Sequence, residues 1–363
     1  MISVANPTFG DAEKEAVLAV LDSGMVADGP EVRRFEEEFA AYCGSNHAVA
    51  TSNGTTALVA ALVGLGIGEG DVVVTTPFSF VASANAVRLV GAEPVFADVD
   101  PRTYNLDPSE VRAAVREHDA DAILAVHLYG LPADVGALRA VADEEDALLL
   151  EDAAQAHGAT YDGRHVGTFG DAAAFSFYPT KNMTTGEGGM VVTNREDVAE
   201  RAASYVNHGR GPEGGYSHRD LGSNHRMTSI GAAIGRVQLE RLPDWIDARR
   251  ENAAALTDAL SSVHGVVAPV EPDGSEHAYH QYTVRCTDRD ALAAHLEGEG
   301  VGSGVYYPTV IPDLAAYDGY DVDVPVARAA SEQVLSLPVH PSLTEADVER
   351  IVDALLTVDI EAR

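Results

Sequence analysis

From residue 47 to about residue 195, short runs of uninterrupted apolar residues alternate with stretches whose apolar positions recur at helical spacing. The reading predicts strands at His47–Thr51, Asp71–Thr75, Glu93–Ala97, Ala122–Leu128, Ala147–Glu151, Ala172–Ser176 and Met190–Thr193. Between them it predicts helices over Thr55–Leu65, Phe80–Val90, Pro108–Glu117 and Val135–Glu145. Strands that are apolar along their whole length need cover on both faces, so the pattern implies an α/β fold: a mostly parallel sheet between two layers of helices. A long helix follows from Ser229 to about Asn252, interrupted by Pro243. Beyond it the strand-like run Tyr282–Cys286 and helical stretches at Asp290–Glu299 and Glu345–Leu356 predict a smaller α+β unit. The expected division is a large domain over residues 1–250 and a small C-terminal domain over 251–363.

In such sheets ligands bind beyond the carboxyl ends of the strands, and the chemically promising side chains fall there. Ser52-Asn53-Gly54-Thr55-Thr56 ends a strand and opens a helix, where free N–H groups and the helix dipole favour an anion such as a phosphate. The same residue types also serve as a plain helix cap. Glu151-Asp152-Ala153-Ala154-Gln155 puts an acidic pair directly after an apolar strand. A carboxylate in that place suits the protonated nitrogen of a pyridine ring; a pair of solvated acids is the plainer alternative.

Composition sharpens one of these positions. The chain has 57 acidic residues against 24 Lys and Arg, a formal net charge of −33. The acids are spread along the sequence rather than gathered, which resembles the solvated surfaces of proteins from high-salt habitats, where screening limits self-repulsion. Such a charge disfavours binding to a nucleic acid backbone. Only Lys14 and Lys181 are lysines. Lys14 lies in the polar first turn of an amphipathic helix. Lys181 follows the apolar run Phe175-Ser176-Phe177, in a chain that otherwise uses arginine. A task closed to arginine, such as losing a proton to form a Schiff base, accounts for that choice. Cys43 and Cys286 have no metal-ligand spacing, so neither a disulfide framework nor a metal site is expected. No apolar stretch reaches membrane-spanning length and the N-terminus has no secretion-signal pattern, so a cytoplasmic protein is expected.

Taken in order, these segments strongly resemble fold-type I pyridoxal-phosphate (PLP) enzymes. Within them the chain looks like the DegT-like nucleotide-sugar aminotransferases. The likeness runs from Ser23-Gly24-Met25-Val26-Ala27-Asp28-Gly29-Pro30 through Val126-His127-Leu128-Tyr129-Gly130 to Leu335-Ser336-Leu337-Pro338-Val339-His340-Pro341. It implies a fold-type I large domain with a smaller C-terminal domain, PLP as cofactor, and transfer of an amino group, from glutamate, to a nucleotide-linked keto sugar. By resemblance Lys181 is the Schiff-base lysine, Asp152 the pyridinium partner and Gln155 the contact of the ring's phenolic oxygen. Gly54, Thr55, Thr56 and Ser176 form the phosphate site, Phe80 covers the ring, and Gly186, Gly188 and Gly189 let backbone approach the cofactor. Asn224 matches an asparagine that reaches the phosphate of a neighbouring subunit, implying a homodimer with shared active sites. The segment Thr184-Thr185-Gly186-Glu187-Gly188-Gly189 is closer to members that aminate C4 than C3. Two departures fall on the substrate side: Ser223 stands where an aromatic is common, and Pro312 where a Tyr-Pro-x-Pro-x-His pattern has its histidine. The competing readings are a PLP dehydratase or lyase on the same scaffold and a non-catalytic PLP-binding regulator.

Overall fold

The structure, a computed structural model, describes residues 1–211 and 215–360. Two helices, α1 (Asp11–Ser23) and α2 (Pro30–Cys43), precede strand β1 (His47–Thr51). The alternating body follows: α3 (Gly54–Leu65), β2 (Val72–Thr75), α4 (Ala82–Leu89), β3 (Glu93–Phe96), α5 (Pro108–His118), β4 (Ala122–Val126), α6 (Val135–Glu144) and β5 (Leu148–Asp152). After the short β6 (Thr160–Tyr161) and β7 (Arg164–His165) come β8 (Ala172–Ser176), β9 (Gly189–Thr193) and α7 (Glu196–Val206). The helix α8 (Ser229–Leu260) leads to β10 (Val266–Val267), β11 (Ser275–Glu276), β12 (Tyr282–Cys286), α9 (Arg289–Gly298), α10 (Pro325–Gln333), β13 (Val334–Leu337) and α11 (Glu345–Leu356).

Seven strands form the main sheet in the order β1-β9-β8-β5-β4-β2-β3. All run parallel except β9, which is antiparallel to both of its neighbours. Residues of β4, β5, β8 and β9 are almost all buried, because helices cover both faces and the side chains alternate between them. On one face Leu124, Leu150 and Val191 pack with Leu58 and Leu62 of α3 and Ala202 of α7. On the other, Ile123 and Leu149 meet Val111 of α5 and Leu138 of α6, while Phe175 and Val192 meet Phe35 and Phe39 of α2 and Ile246 of α8.

The C-terminal part has its own core, where Tyr282, Leu296, Leu337, Ile351 and Leu355 pack beneath the sheet β10-β12-β13. Val310, Val324, Ala327 and Val334 instead join the core of the main sheet, so the chain returns to it after residue 304. Pro243 does not interrupt α8, which continues unbroken to Leu260. A proline removes one i→i−4 hydrogen bond, and here burial of Leu239, Leu242 and Ile246 on either side of it outweighs that loss. Among the described residues no helix is long and apolar enough to cross a membrane.

Candidate active site

The carboxyl ends of the parallel strands bring the chemistry together. Asp152 is the last residue of β5 and is 4% exposed. Its Oδ2 accepts a hydrogen bond from the hydroxyl of Ser83 at 2.7 Å, and its Oδ1 accepts one from the Ala154 N–H at 3.1 Å. Ser83 is itself steadied by the Ser79 hydroxyl, which donates to it at 3.1 Å. Burial pushes the Asp152 carboxyl above its usual range. The Ser83 and Ala154 hydrogen bonds and the nearby Lys181 ammonium oppose that shift without cancelling it.

Lys181 lies in the turn between β8 and β9, where its N–H donates to the Tyr178 carbonyl at 2.9 Å. Withdrawal from water pushes its amine down to about 8, against the pull of the Asp152 carboxylate. A lysine in this state is half neutral near pH 8 and can give up or accept a proton there.

At the head of α3 the Asn53 side chain caps the Thr56 N–H at 2.9 Å, while the Thr56 hydroxyl accepts from the Asn53 N–H at 3.1 Å. This reciprocal cap leaves the N–H groups of Gly54 and Thr55, which have no acceptor within the helix, pointing out of its first turn. Ser176, at the end of β8, lies directly against Gly54. A Cβ on Gly54 would meet the Ser176 Cβ at 2.6 Å and its Oγ at 2.9 Å, so only glycine allows this approach. Two N–H groups and two hydroxyls (Thr55 and Ser176) thus gather at one helix N-terminus, a site suited to a phosphate dianion.

The Gln155 amide has a fixed orientation. Its Oε1 accepts from the Tyr129 N–H at 2.8 Å, which turns Nε2 towards the Tyr307 hydroxyl at 3.2 Å. Tyr129 in turn donates its hydroxyl to the carbonyl of Tyr306. Phe80 is 56% exposed, with its ring centroid 6.2 Å from that of Tyr307 at an angle of 37°. Its free face is therefore available to a flat ligand.

Glu151 has a different occupation from its neighbour. It is fully buried and accepts from the Gly167, Phe169 and Gly170 N–H groups at 2.7–2.8 Å and from His127 Nε2 at 3.0 Å. Because His127 Nδ1 accepts the Ala133 N–H at 3.0 Å, the ring proton is on Nε2 and points at Glu151. These bonds hold the Glu151 carboxyl below its usual range despite its burial. Glu151 clamps two loops, and the adjacent acids are not a solvated pair.

The structure thus gathers Lys181, Asp152, Gln155, Ser176, Gly54, Thr55, Thr56 and Phe80 about the strand ends. Asn224 is exposed, and within the chain it pairs with Asn207 rather than with this cluster. Its neighbour His225 does accept the Ser52 N–H at 2.7 Å, which puts the segment beside the head of α3. Of the three glycines after Lys181, Gly189 serves a different end from close approach to a ligand. Its missing Cβ makes room for the Asn53 carbonyl and so lets β9 pass under the α3 cap. Tyr129 and Tyr307 lie in segments that carried the resemblance but had no role assigned from them, and Ser83 lies in no motif. The one signal for Ser83 is its place in the first turn of α4, after a strand end.

Comparison with known proteins gives a consistent result. The model of the DegT/DnrJ/EryC1/StrS aminotransferase family matches residues 7–356. The GDP-perosamine synthase of Caulobacter vibrioides is 40% identical over 362 residues, covering 98% of this chain and 97% of that one. The dTDP-3-amino-3,4,6-trideoxy-alpha-D-glucose transaminase of Streptomyces venezuelae is 41% identical over 349 residues, 95% of this chain and 91% of its own. A pleiotropic regulatory protein of Geobacillus stearothermophilus is also 41% identical, covering 94% of both chains. Among solved structures, S. venezuelae DesV in complex with a ketimine intermediate superposes with a TM-score of 0.91 at 41% identity, covering 95% of this chain and 93% of that one.

Proposed function

We propose that in this chain, which belongs to the DegT/DnrJ/EryC1/StrS aminotransferase family, Lys181 and Asp152 carry out amino-group transfer to a nucleotide-linked keto sugar. The chain is a PLP-dependent sugar aminotransferase, as its relatives and structural neighbours are. The observation that supports the two roles is convergence. Lys181 and Asp152, 29 residues apart, meet at the strand ends closely enough for each to shift the other's protonation.

The residues present fit pyridoxal phosphate. The cradle between Gly54 and Ser176, which a Cβ would fill, and the free N–H groups of α3 suit its phosphate. Asp152 suits its ring nitrogen, Gln155 Nε2 its ring oxygen and Phe80 one face of its ring. When bound, the cofactor supplies an electron sink that acidifies the C–H beside the transferred nitrogen.

The chain's own residues then have separate tasks. Asp152, as a carboxylate, holds a proton on the ring nitrogen, and Ser83 favours that charged form by donating to it. Lys181 anchors the cofactor through its amine and, once released, takes the proton from carbon and returns it at the other end of the transfer. Its amine, lowered to about 8, is partly neutral at working pH, as a base must be. Gln155, held by Tyr129, fixes the ring's rotation. We assign glutamate as donor and C4 as the carbon aminated. We also assign a cytoplasmic homodimer in which the exposed Asn224 of each copy reaches the phosphate end of the other's site. Ser223 and Pro312 replace an aromatic and a histidine on the substrate side and set which sugar is accepted. The dispersed charge of −33 marks adaptation to high salt; equal stability at low and multimolar salt would refute this last assignment.

The test of function is the visible absorbance of the purified protein with PLP, before and after glutamate, for wild type and Lys181→Ala. Bleaching in the wild type alone supports the assignment, and a panel of nucleotide keto sugars then identifies the acceptor. A band indifferent to glutamate points to another donor or to lyase chemistry. A regulator without turnover would have no need of the intact Lys181–Asp152 pair.

A further inference from the structure

Beside Lys181 lies a cavity of about 30 Å³. It is bounded by the N-terminal segment Ala5–Thr8, by Lys181 and Asn182, by Gln238 and Arg249 of α8, and by His340. By the same measure a water molecule needs about 10–15 Å³, so the space admits one or two species of that size and no amino acid.

Its lining is unusual in charge. With the Lys181 amine taken by the cofactor, Arg249 is the ionised lining group, and none of the lining residues is Asp or Glu. This occurs in a chain where acids outnumber bases 57 to 24. Arg249 is 5% exposed, and its Nη1 donates to the carbonyls of Tyr279 at 2.9 Å and His280 at 3.4 Å. Its Nε has no partner among the described residues. No carboxylate faces it, and burial alone pushes its guanidinium down to about 9. A buried cation without a counter-charge is strongly disfavoured. The acids around it are already committed: Glu13, bonded to the lining Gln238, also holds the Gly10 N–H and Arg241, and Glu271, bonded to the Tyr279 hydroxyl, holds Arg250 and the His277 N–H.

The surroundings add further unsatisfied polar atoms. Asn182 is 3% exposed; its Nδ2 donates to the His157 and Ala278 carbonyls, while its Oδ1 has no donor. His157, 1% exposed, has neither ring nitrogen bonded, and His280 leaves Nδ1 unbonded. Burial first, and the nearby Lys181 and Arg249 after it, hold both rings neutral, so neither supplies nor balances charge.

We propose that this cavity binds one small inorganic anion of the halide class, held by Arg249, with a water bridging it to Asn182 Oδ1. The anion supplies the counter-charge that the chain withholds from Arg249, and the water satisfies the orphaned acceptor. The protein's response to salt then has a component specific to the anion, separate from general screening of its surface.

Crystals of the PLP-loaded wild type grown in molar sodium bromide test this directly. The expected result is an anomalous peak in contact with the Arg249 guanidinium; water-like density with no anomalous signal there would overturn the proposal. In solution, the holoenzyme should melt about 2–4 °C higher in sodium chloride than in sodium gluconate at equal ionic strength, gluconate being too large for the cavity. Equal melting in the two salts, or a chloride-specific shift that survives in folded Arg249→Met, would also overturn it. If Arg249→Met does not fold, the diffraction result decides.

Discussion

The hydroxyl of Ser83 donates to Asp152 Oδ2 at 2.7 Å, linking the first turn of α4 to the end of β5 across 69 residues of sequence. This bond favours the ionised form of a carboxyl that burial would otherwise hold neutral. Ser83→Ala should therefore raise the Asp152 pKa and move the acid limb of the rate profile to higher pH. A several-fold loss of rate at neutral pH is expected, against about 10³-fold or more for Asp152→Asn. Profiles of kcat against pH for the three proteins check this, and a profile unchanged in Ser83→Ala would refute it.

Attachment of the cofactor requires a neutral Lys181. With its amine at about 8, the rate at which apoprotein develops the visible band should rise through pH 7–9 and level off above. An unperturbed lysine, at about 10.4, would still be climbing at pH 10. Lys181→Arg should give no band at any pH, since the guanidinium does not deprotonate. Stopped-flow absorbance across pH 6–10 separates these cases.

Gly54→Ala would drive a methyl into Ser176, whose Cβ would be 2.6 Å away. The head of α3 must then withdraw from β8, and affinity for PLP should fall about tenfold or more. Ser176→Ala keeps the spacing and removes one hydroxyl, so its loss should be smaller. Cofactor titration of the two apoproteins gives the order.

Glu36 of α2 is buried, accepts the Ala50 N–H of β1 at 2.8 Å, and pairs with Arg33 at 2.8 Å. Burial nevertheless raises its carboxyl to about 7. Its folded pKa lies above the unfolded one, so the folded state holds the proton more tightly. Stability from this group is full below about pH 4.5 and declines as pH rises towards 7. Glu36→Gln keeps the acceptor without the charge. It should flatten that part of the stability profile and gain about 1–2 kcal/mol at pH 8. Denaturant melts of both proteins at pH 5 and 8 test this, and an equal difference at the two pH values would refute it.

How much of this was legible in the sequence depended on the range of the interaction. Lys181 stood out because one lysine among arginines is visible without any geometry. The strands of the main sheet were visible because burial on both faces leaves an unbroken apolar run. Ser83 was not visible, and Tyr129 and Tyr307 were visible only as members of motifs without a role, since all three roles come from contacts that the sheet order creates between distant segments. Pro243 misled for the opposite reason: its local preference is strong, but α8 is held by packing along its length. Glu151 and Asp152 read alike as an acidic pair, and only their hydrogen bonds tell them apart.

That last contrast has a consequence for how the sequence can change. Glu151 and Asp152 are consecutive residues of β5, so they project to opposite sides of the sheet. Their registers are fixed, Glu151 beside Ala125 and Ala173 and Asp152 beside Val126 and Ala174. Gain or loss of one residue ahead of β5 that slid the strand by a single step would send each acid to the other's side. A step one way would give the loop clamp Asp152, a methylene too short, and the reaction centre Ala153. A step the other way would give the reaction centre Glu151, a methylene too long, and the clamp Leu150. The reading frame of this one strand is thus tied to both the fold and the chemistry. Natural variation in length between α6 and β5 should be absorbed within the turn before Leu148.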